Sequence, residues 1–271
     1  MSKIIFITGA SRGMGKIWAN ALLKEGNKVV ITARDISVLD EFIAQYGENV
    51  LALSLDVTNS EACFEAVEKA VKHFGKIDVL INNAGYGLFG AVEEVNEEEV
   101  RAQFETNVFG SIWVTQAVLP IMRAQQSGHI IQISSALGLV ATPTSAMYTA
   151  TKWAIEGFGE SLALEVAGFG IKVTLVEPNA FATDFSGSSA AMVNRIEAYQ
   201  PIKEAYFASF TDDDYGNPNA TADAIVKLVN SEEPPVRLML GKMAFPWVSH
   251  TYAERLSVWE KWQDVSVAAH G

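Results

Sequence analysis

Short runs of β-branched and aliphatic residues alternate with longer stretches of helical apolar spacing through most of this 271-residue chain. The runs fall at about 3–8 (KIIFIT), 28–33 (KVVITA), 50–55, 78–81, 128–134 (GHIIQIS), 170–176 and 237–240. Parallel strands cannot be joined by a tight turn. Each needs a crossover of a dozen or more residues, usually a helix, so this alternation predicts an α/β chain of βαβ units around a parallel sheet. Between the third and fourth runs, Phe64, Val67, Val71 and Phe74 recur at spacings of three and four, which predicts one apolar helical stripe with Cys63 beside it.

No repeat, low-complexity segment or Gly/Ser- or Pro-rich linker divides the chain, so residues 1–271 read as one domain. The alternation breaks at about 184–217, where Gly, Ser and Asp mix with Phe185, Met192, Ile196, Tyr199, Tyr206, Phe207 and Phe210. Loops this long in compact domains are commonly functional, and the aromatic content predicts a substrate lid. A C-terminal extension at about 242–271 carries Pro246, Trp247, Trp259 and Trp262, and can cover either the domain or a subunit contact.

Charge and composition narrow the function. A formal net charge of -12 opposes binding to phosphate backbones, so no nucleic-acid partner is expected. The acidic runs Glu93-Glu94, Glu97 to Glu99 and Asp212 to Asp214 lack metal-ligand spacing and read as solvated faces, and the four histidines are scattered. No metal site is expected. Cys63 is the only cysteine, which rules out an intrachain disulfide and suits a reducing cytoplasm. The N-terminus enters an apolar run directly after Lys3 with no room for an export signal, and no apolar stretch approaches the roughly 20 residues that span a bilayer.

The strongest local signal follows the first run. Thr8-Gly9-Ala10-Ser11-Arg12-Gly13-Met14-Gly15 leads into Ile17, Trp18, Ala21 and Leu22, which open an amphipathic helix. Glycines let the backbone approach a pyrophosphate, and the helix N-terminus offers it unpaired N–H groups and a positive dipole end. A P-loop reading fails twice, because Ala10 holds the first glycine position and Ile17 replaces the Ser/Thr. The spacing G-x-x-x-G-x-G resembles the loop of the short-chain dehydrogenase/reductase family.

Further segments carry the same resemblance in the same order. Asp56-Val57 ends the third run where the family hydrogen-bonds adenine, and Asn82-Asn83-Ala84-Gly85 resembles the segment that lines the cofactor. Tyr148 and Lys152 form a Y-x-x-x-K pair, one helical turn apart on one face. A neighbouring ammonium favours phenolate, so a lowered Tyr148 pKa is expected, making it a usable acid or base near neutrality. Ser135 lies 13 residues before Tyr148 at the end of the fifth run, where open α/β sheets place ligand-contacting groups, while Ser134 should point to the other face. Asn107, in Thr106-Asn107-Val108, resembles the family's fourth catalytic residue.

The resemblance implies a single doubly wound Rossmann domain with a mostly parallel seven-stranded sheet. It implies that Tyr148 protonates a carbonyl oxygen as hydride leaves a nicotinamide, that Ser135 holds that oxygen, and that Lys152 binds the ribose. Asn107 would position a water relaying protons to Lys152. The cofactor-binding set is Gly9, Ser11, Arg12, Gly13, Met14, Gly15, Arg34, Asp56, Val57, Asn83, Ala84, Gly85, Tyr148, Lys152, Pro178, Asn179 and Thr183. Asn179 departs from the family's usual Pro-Gly but tolerates positive φ. Ala33 and Arg34 stand where an acidic residue would bind a ribose 2′-hydroxyl, which with Arg12 predicts NADP(H).

Tyr86, Leu88, Phe89, Leu137, Leu139, Val140, Met147, Phe181 and Phe185 flank these motifs, so an apolar or aromatic carbonyl or alcohol is the expected small-molecule partner. A homo-oligomer, dimer or tetramer, is implied by resemblance alone. Two other classes share the fold: a non-catalytic NADPH-sensing regulator, which should have lost one of Ser135, Tyr148 or Lys152, and a cofactor-retaining isomerase or epimerase, whose extended relatives have a different glycine spacing.

Overall fold

A computed structural model of the protein describes residues 2–183 and 191–271. The expected runs form a seven-stranded sheet from β1 (Ile4–Ile7), β2 (Lys28–Ala33), β3 (Val50–Ser54), β4 (Val79–Asn82), β6 (Gly128–Ile133), β7 (Ile171–Pro178) and β9 (Arg237–Leu240). Their order is β3-β2-β1-β4-β6-β7-β9, and every pairing is parallel. β7 continues two residues beyond the expected end. Two short strands absent from the sequence reading, β5 (Leu88–Phe89) and β8 (Ala191–Met192), pair separately in parallel.

The strands are almost wholly apolar because helices cover both faces. On one face Ile5, Ile7, Val29, Ile31, Ile81 and Ile131 pack against α1 (Gly13–Lys24), α2 (Asp40–Tyr46) and α8 (Thr221–Asn230). On the other, Phe6, Val30, Leu80, Ile130 and Val173 pack against α3 (Ser60–Phe74), α5 (Gly110–Gln125) and α6 (Ala146–Val166). This period-two division is that of a strand with both faces buried. Trp18 is fully buried on α1 and gives its indole N–H to Thr221 Oγ1 at 2.7 Å, which ties α1 to α8.

The stripe expected on α3 is shifted. Cys63, Ala66, Val67 and Ala70 form the buried face, whereas Phe64 is 46% exposed. Small residues bring α3 close to the sheet and α5, a choice that counting large apolar side chains overlooks. Burial pushes the Cys63 thiol up to about 12, so it packs as an inert apolar group. His129 is buried against Thr174 Oγ1 at 3.0 Å, and burial holds its pKa down to about 3.

From β1 the strand order runs outward to β3, then returns to β4 on the other side. That reversal is the topological switch point of an open α/β sheet, and ligands bind outside the carboxyl ends of the strands there. Every loop nominated from the sequence leaves such an end: 9–15 after β1, Arg34 after β2, Asp56 after β3, 83–85 after β4 and Ser135 after β6. Among the described residues, no helix is long and apolar enough to cross a membrane.

Candidate active site

These loops enclose one cavity of about 840 Å³. All the nominated cofactor and catalytic residues line it except Asn107.

At one end, backbone conformation builds the wall. Gly9 has φ +68°, and a Cβ there would come within 2.9 Å of Ala84 Cα, so only glycine allows the loop to seat on the 83–85 segment. Thr8 Oγ1 accepts from the N–H groups of Asn83 at 2.9 Å and Ala84 at 3.0 Å, while Asn83 Nδ2 donates to the carbonyls of Thr8 and Gly9 at 3.0 and 2.8 Å. Gly13 has φ +56° and nothing within 4 Å of where its Cβ would be. α1 begins there without a side-chain cap. Its first N–H groups are therefore available to an anion, and the open cradle fits a dinucleotide pyrophosphate.

Arg12, Ala33 and Arg34 line the cavity at the end of β2. The neighbouring Asp35 carboxylate turns away, accepting from Ser37 N at 3.0 Å and Ser37 Oγ at 2.7 Å. Asp56 also lines the cavity and is steadied by Thr58, whose N–H and hydroxyl donate to Oδ1 at 3.0 and 2.9 Å.

At the centre, α6 presents Tyr148 and Lys152 to Ser135. The Ser135 side chain accepts from Leu137 N at 3.1 Å and hydrogen-bonds Tyr148. Ser134 instead faces the Glu156 carboxylate. Lys152 Nζ donates to Ile133 O at 2.7 Å and lies 5.6 Å from the centre of the Tyr148 ring.

The expected lowering of the Tyr148 pKa is not what the geometry gives. Burial raises it, and the hydrogen bond from Ser135 offsets only part of that. Burial also lowers Lys152, to about 8, against the opposing charge of Glu156. Desolvation outweighs the neighbouring ammonium because both groups sit out of water and Lys152 spends a hydrogen bond on Ile133 O. A phenol in this setting keeps its proton at neutral pH.

Asn107 is buried, with its side chain held by hydrogen bonds. It lies in a single π-helical turn, Glu105–Phe109, between α4 (Glu97–Phe104) and α5. Its amide Nδ2 donates to Tyr86 O at 2.9 Å and Thr151 Oγ1 at 3.2 Å, and Oδ1 accepts from Tyr86 N at 3.1 Å. The side chain thus fastens Tyr86 to α6 and does not line the cavity.

The other end is aromatic. Tyr86, Phe89, Leu137 and Phe181 line it, whereas Leu88, Leu139 and Val140 are buried in the core and Met147 lines a separate outer groove. Of the expected lid, Met192, Tyr206, Phe207 and Phe210 line the cavity, while Tyr199 points to Glu93 Oε2 at 2.8 Å on the surface. Phe185 and the rest of 184–190 lie outside the described residues. Two further aromatic residues line the cavity without having been singled out for it: Tyr215, inside the expected lid segment, and Trp247 from α9 (Ala244–Lys261) in the C-terminal extension. Glu105 and Thr106 also reach it, from the π-helical turn. Among the described lining residues the cations are Arg12, Arg34 and Lys152, and Arg34 is near enough to Tyr86 to act on its hydroxyl.

The family model for short chain dehydrogenases matches residues 3–194. The oxidoreductase BOA17 of Botryotinia fuckeliana is 41% identical over 99% of this chain and 100% of its own. A 3-ketodihydrosphingosine reductase of Bacteroides thetaiotaomicron is 40% identical over 89% of this chain and 88% of its own. Among solved structures, a short-chain dehydrogenase from Streptomyces avermitilis superposes with TM-score 0.93 at 37% identity, covering 99% of both chains, so the likeness includes the C-terminal extension. ElxO with NADP bound is 30% identical with TM-score 0.76 over 91% of this chain and 100% of its own. A 3-ketoacyl-(acyl-carrier-protein) reductase from Brucella melitensis, 27% identical with TM-score 0.77 over 88% of this chain and 96% of its own, is complexed with NADH. With its sheet order, glycine loop and Ser135, Tyr148 and Lys152 on one cavity, this chain belongs to the short-chain dehydrogenase/reductase family of oxidoreductases.

Proposed function

We propose that the protein uses NADP(H) to reduce apolar or aromatic ketones and aldehydes to alcohols, and to run the reverse reaction. The observation that carries this reading is the cavity itself: a glycine- and arginine-lined end joins an aromatic end at Ser135, Tyr148 and Lys152. Binding pockets of this kind, with hydrophobic walls and few polar groups, suit apolar ligands oriented by those groups. The Bacteroides relative is named as a reductase of a ketone, 3-ketodihydrosphingosine.

NADPH, when bound, supplies the hydride. Ser135 holds the substrate oxygen by a hydrogen bond, and the protonated Tyr148 phenol donates to that oxygen as charge develops on it. Lys152 would bind the ribose, and its charge would stabilise the phenolate left on Tyr148. Gly9, Ser11, Gly13, Met14 and Gly15 would seat the pyrophosphate, and Asp56 and Val57 would take the adenine. Asn83, Ala84, Gly85, Pro178, Asn179 and Thr183 would hold the nicotinamide side. Arg12 and Arg34 would pair with the 2′-phosphate, a preference the fold alone does not dictate, since its members include an NADH complex. Asn107 holds Tyr86 and α6 in register around the site. A cytoplasmic homo-oligomer is the setting we propose for this activity.

The test is NADPH oxidation across aryl ketones, aliphatic aldehydes, long-chain ketones, keto acids and ketosugars. Apolar carbonyls should give the highest kcat/KM. Clearly higher values for keto acids or sugars than for every apolar carbonyl would overturn the reading.

A further inference from the structure

The aromatic end of the cavity depends on α7 (Gln200–Ala208), whose Tyr206 and Phe207 line it. α7 lies outside the parallel sheet, and Phe207 is still 41% exposed, so core packing alone does not fix it. Beside the hydrogen bond that Tyr206 makes with Thr142, a buried ion pair ties the helix to the domain. Glu94, in the segment between β5 and α4, is 3% exposed, and Lys203, one turn before Tyr206 and Phe207, is 5% exposed.

Both partners are saturated. Lys203 Nζ donates to Glu94 Oε1 at 2.7 Å, Val193 O at 2.9 Å and Asn194 Oδ1 at 2.9 Å. Glu94 also accepts from the backbone N–H groups of Ala91 at 2.8 Å and of Arg195 and Ile196, both at 2.9 Å. Arg195 closes the arrangement, donating to Glu94 O at 2.6 Å and, through two nitrogens, to the Glu99 carboxylate at 2.8 and 2.6 Å. One carboxylate thus fixes both the chain leading into α7 and the helix itself. On a helix, positions i, i+3 and i+4 share a face, so the depth and rotation of Lys203 set those of Tyr206 and Phe207.

We infer that the Glu94–Lys203 pair is a positioning device for substrate selection, holding Tyr206 and Phe207 over the far part of the apolar site so that large carbonyl compounds bind well. The pair touches neither the cavity nor the catalytic residues. A buried pair of this kind gives little net stability over an apolar substitute, whereas it fixes one geometry. The Lys203 hydrogen bond holds the Glu94 carboxyl down to about 2, so that carboxylate is ionised at neutral pH.

The kinetic arm rests on the reductase reading, and a second arm does not. Glu94→Gln, Lys203→Met and the double variant are compared with wild type on hexan-2-one and decan-2-one with NADPH. The expected result is a KM for decan-2-one raised about tenfold, the size of effect given by one misplaced contact, with kcat, NADPH Kd and the hexan-2-one KM within about twofold. Equal KM changes for both ketones, or none, would overturn the inference. The double variant removes both charges and should recover thermal stability while keeping the selectivity defect. Recovery of selectivity together with stability would also overturn it. If Lys203→Met does not fold, Glu94→Gln, whose one amide oxygen can still accept from the N–H groups of Arg195 and Ile196 while the acceptor for Ala91 is lost, carries the comparison. Independently of turnover, hydrogen exchange should quicken at residues 200–208 in the single variants and not in α1; unchanged exchange there overturns the latch. Wild type that reduces neither ketone would sink the reductase reading alone, leaving hydrogen exchange to decide the latch.

Discussion

The glycine loop and α7 line the same cavity but are held in place by different physics. The loop is fixed by backbone conformation, Gly9 and Gly13 at positive φ, and by hydrogen bonds from strand ends that the sheet already brings together. α7 is fixed by side chains reaching across the sequence, with Glu94 and Lys203 separated by 109 residues. α9 follows the same rule. Arg255 donates to Leu139 O at 2.7 Å, 116 residues away, with its guanidinium 5.1 Å from the centres of both the Trp153 and Tyr252 rings. One end of the cavity is thus inherent in the sheet, and the other is attached to it.

The difference is broken most severely where the two ends meet. Tyr148→Phe should lower kcat by about 10²- to 10⁴-fold, the usual contribution of a positioned general acid, with NADPH affinity within about twofold of wild type. Lys152→Ala should damage both, since Lys152 serves the cofactor side as well. A Tyr148→Phe enzyme keeping more than about a tenth of wild-type turnover would contradict the assignment.

A smaller effect sharpens the comparison on the cofactor side. Arg12 and Arg34 are both exposed and line the cavity beside Ala33, with no carboxylate turned toward them from β2. Charge-assisted hydrogen bonds contribute about 1.5–3 kcal/mol each when formed, so their loss should cut the NADPH-to-NADH ratio of kcat/KM by at least about tenfold. Replacing both by alanine should leave the ranking of carbonyl substrates as it was. An unchanged ratio, or equal use of NADH by wild type, would remove the arginines from cofactor selection.

What was legible in the sequence follows the same division. Seven strands and the glycine loop could be read because parallel strands buried on both faces are continuous apolar runs, and because each loop motif lies within a few residues of a strand end. The spacing of Ser135, Tyr148 and Lys152 was readable for the same reason, being set within one strand–loop–helix unit. Their pKa directions were not, because desolvation depends on what covers Tyr148 and no local spacing records that. Leu139 and Val140 went to the core and Met147 to an outer groove because an apolar residue beside a motif faces core or cavity according to loop geometry. Trp247 could be placed only in an extension covering either the domain or a subunit contact, because its path to the cavity is set by the docking of α9 and by no local motif. The latch escaped notice because Glu94 looks like one of many surface carboxylates until Lys203 is folded onto it.

The smallest expected effect tests whether the attached end is separable from the inherent one. Trp247 is half-buried, lines the cavity and packs in a cluster with Leu139, Val140, Val248 and Tyr252. Trp259 and Trp262 belong to the same extension but are 59% and 62% exposed and line no part of the cavity. Trp247→Ala removes an aromatic wall while Arg255 still clamps α9, so the extension should stay docked. Losing part of an aromatic contact costs on the order of 1 kcal/mol, which corresponds to a rise in KM of about fivefold for an aryl ketone. NADPH Kd should not move, and Trp259→Ala and Trp262→Ala should change neither quantity. The measurement is a KM and Kd pair for each variant. If Trp247→Ala weakened NADPH as much as it weakened the ketone, the two ends would be one cooperative site, and the contrast between a sheet-encoded half and an attached half would fail.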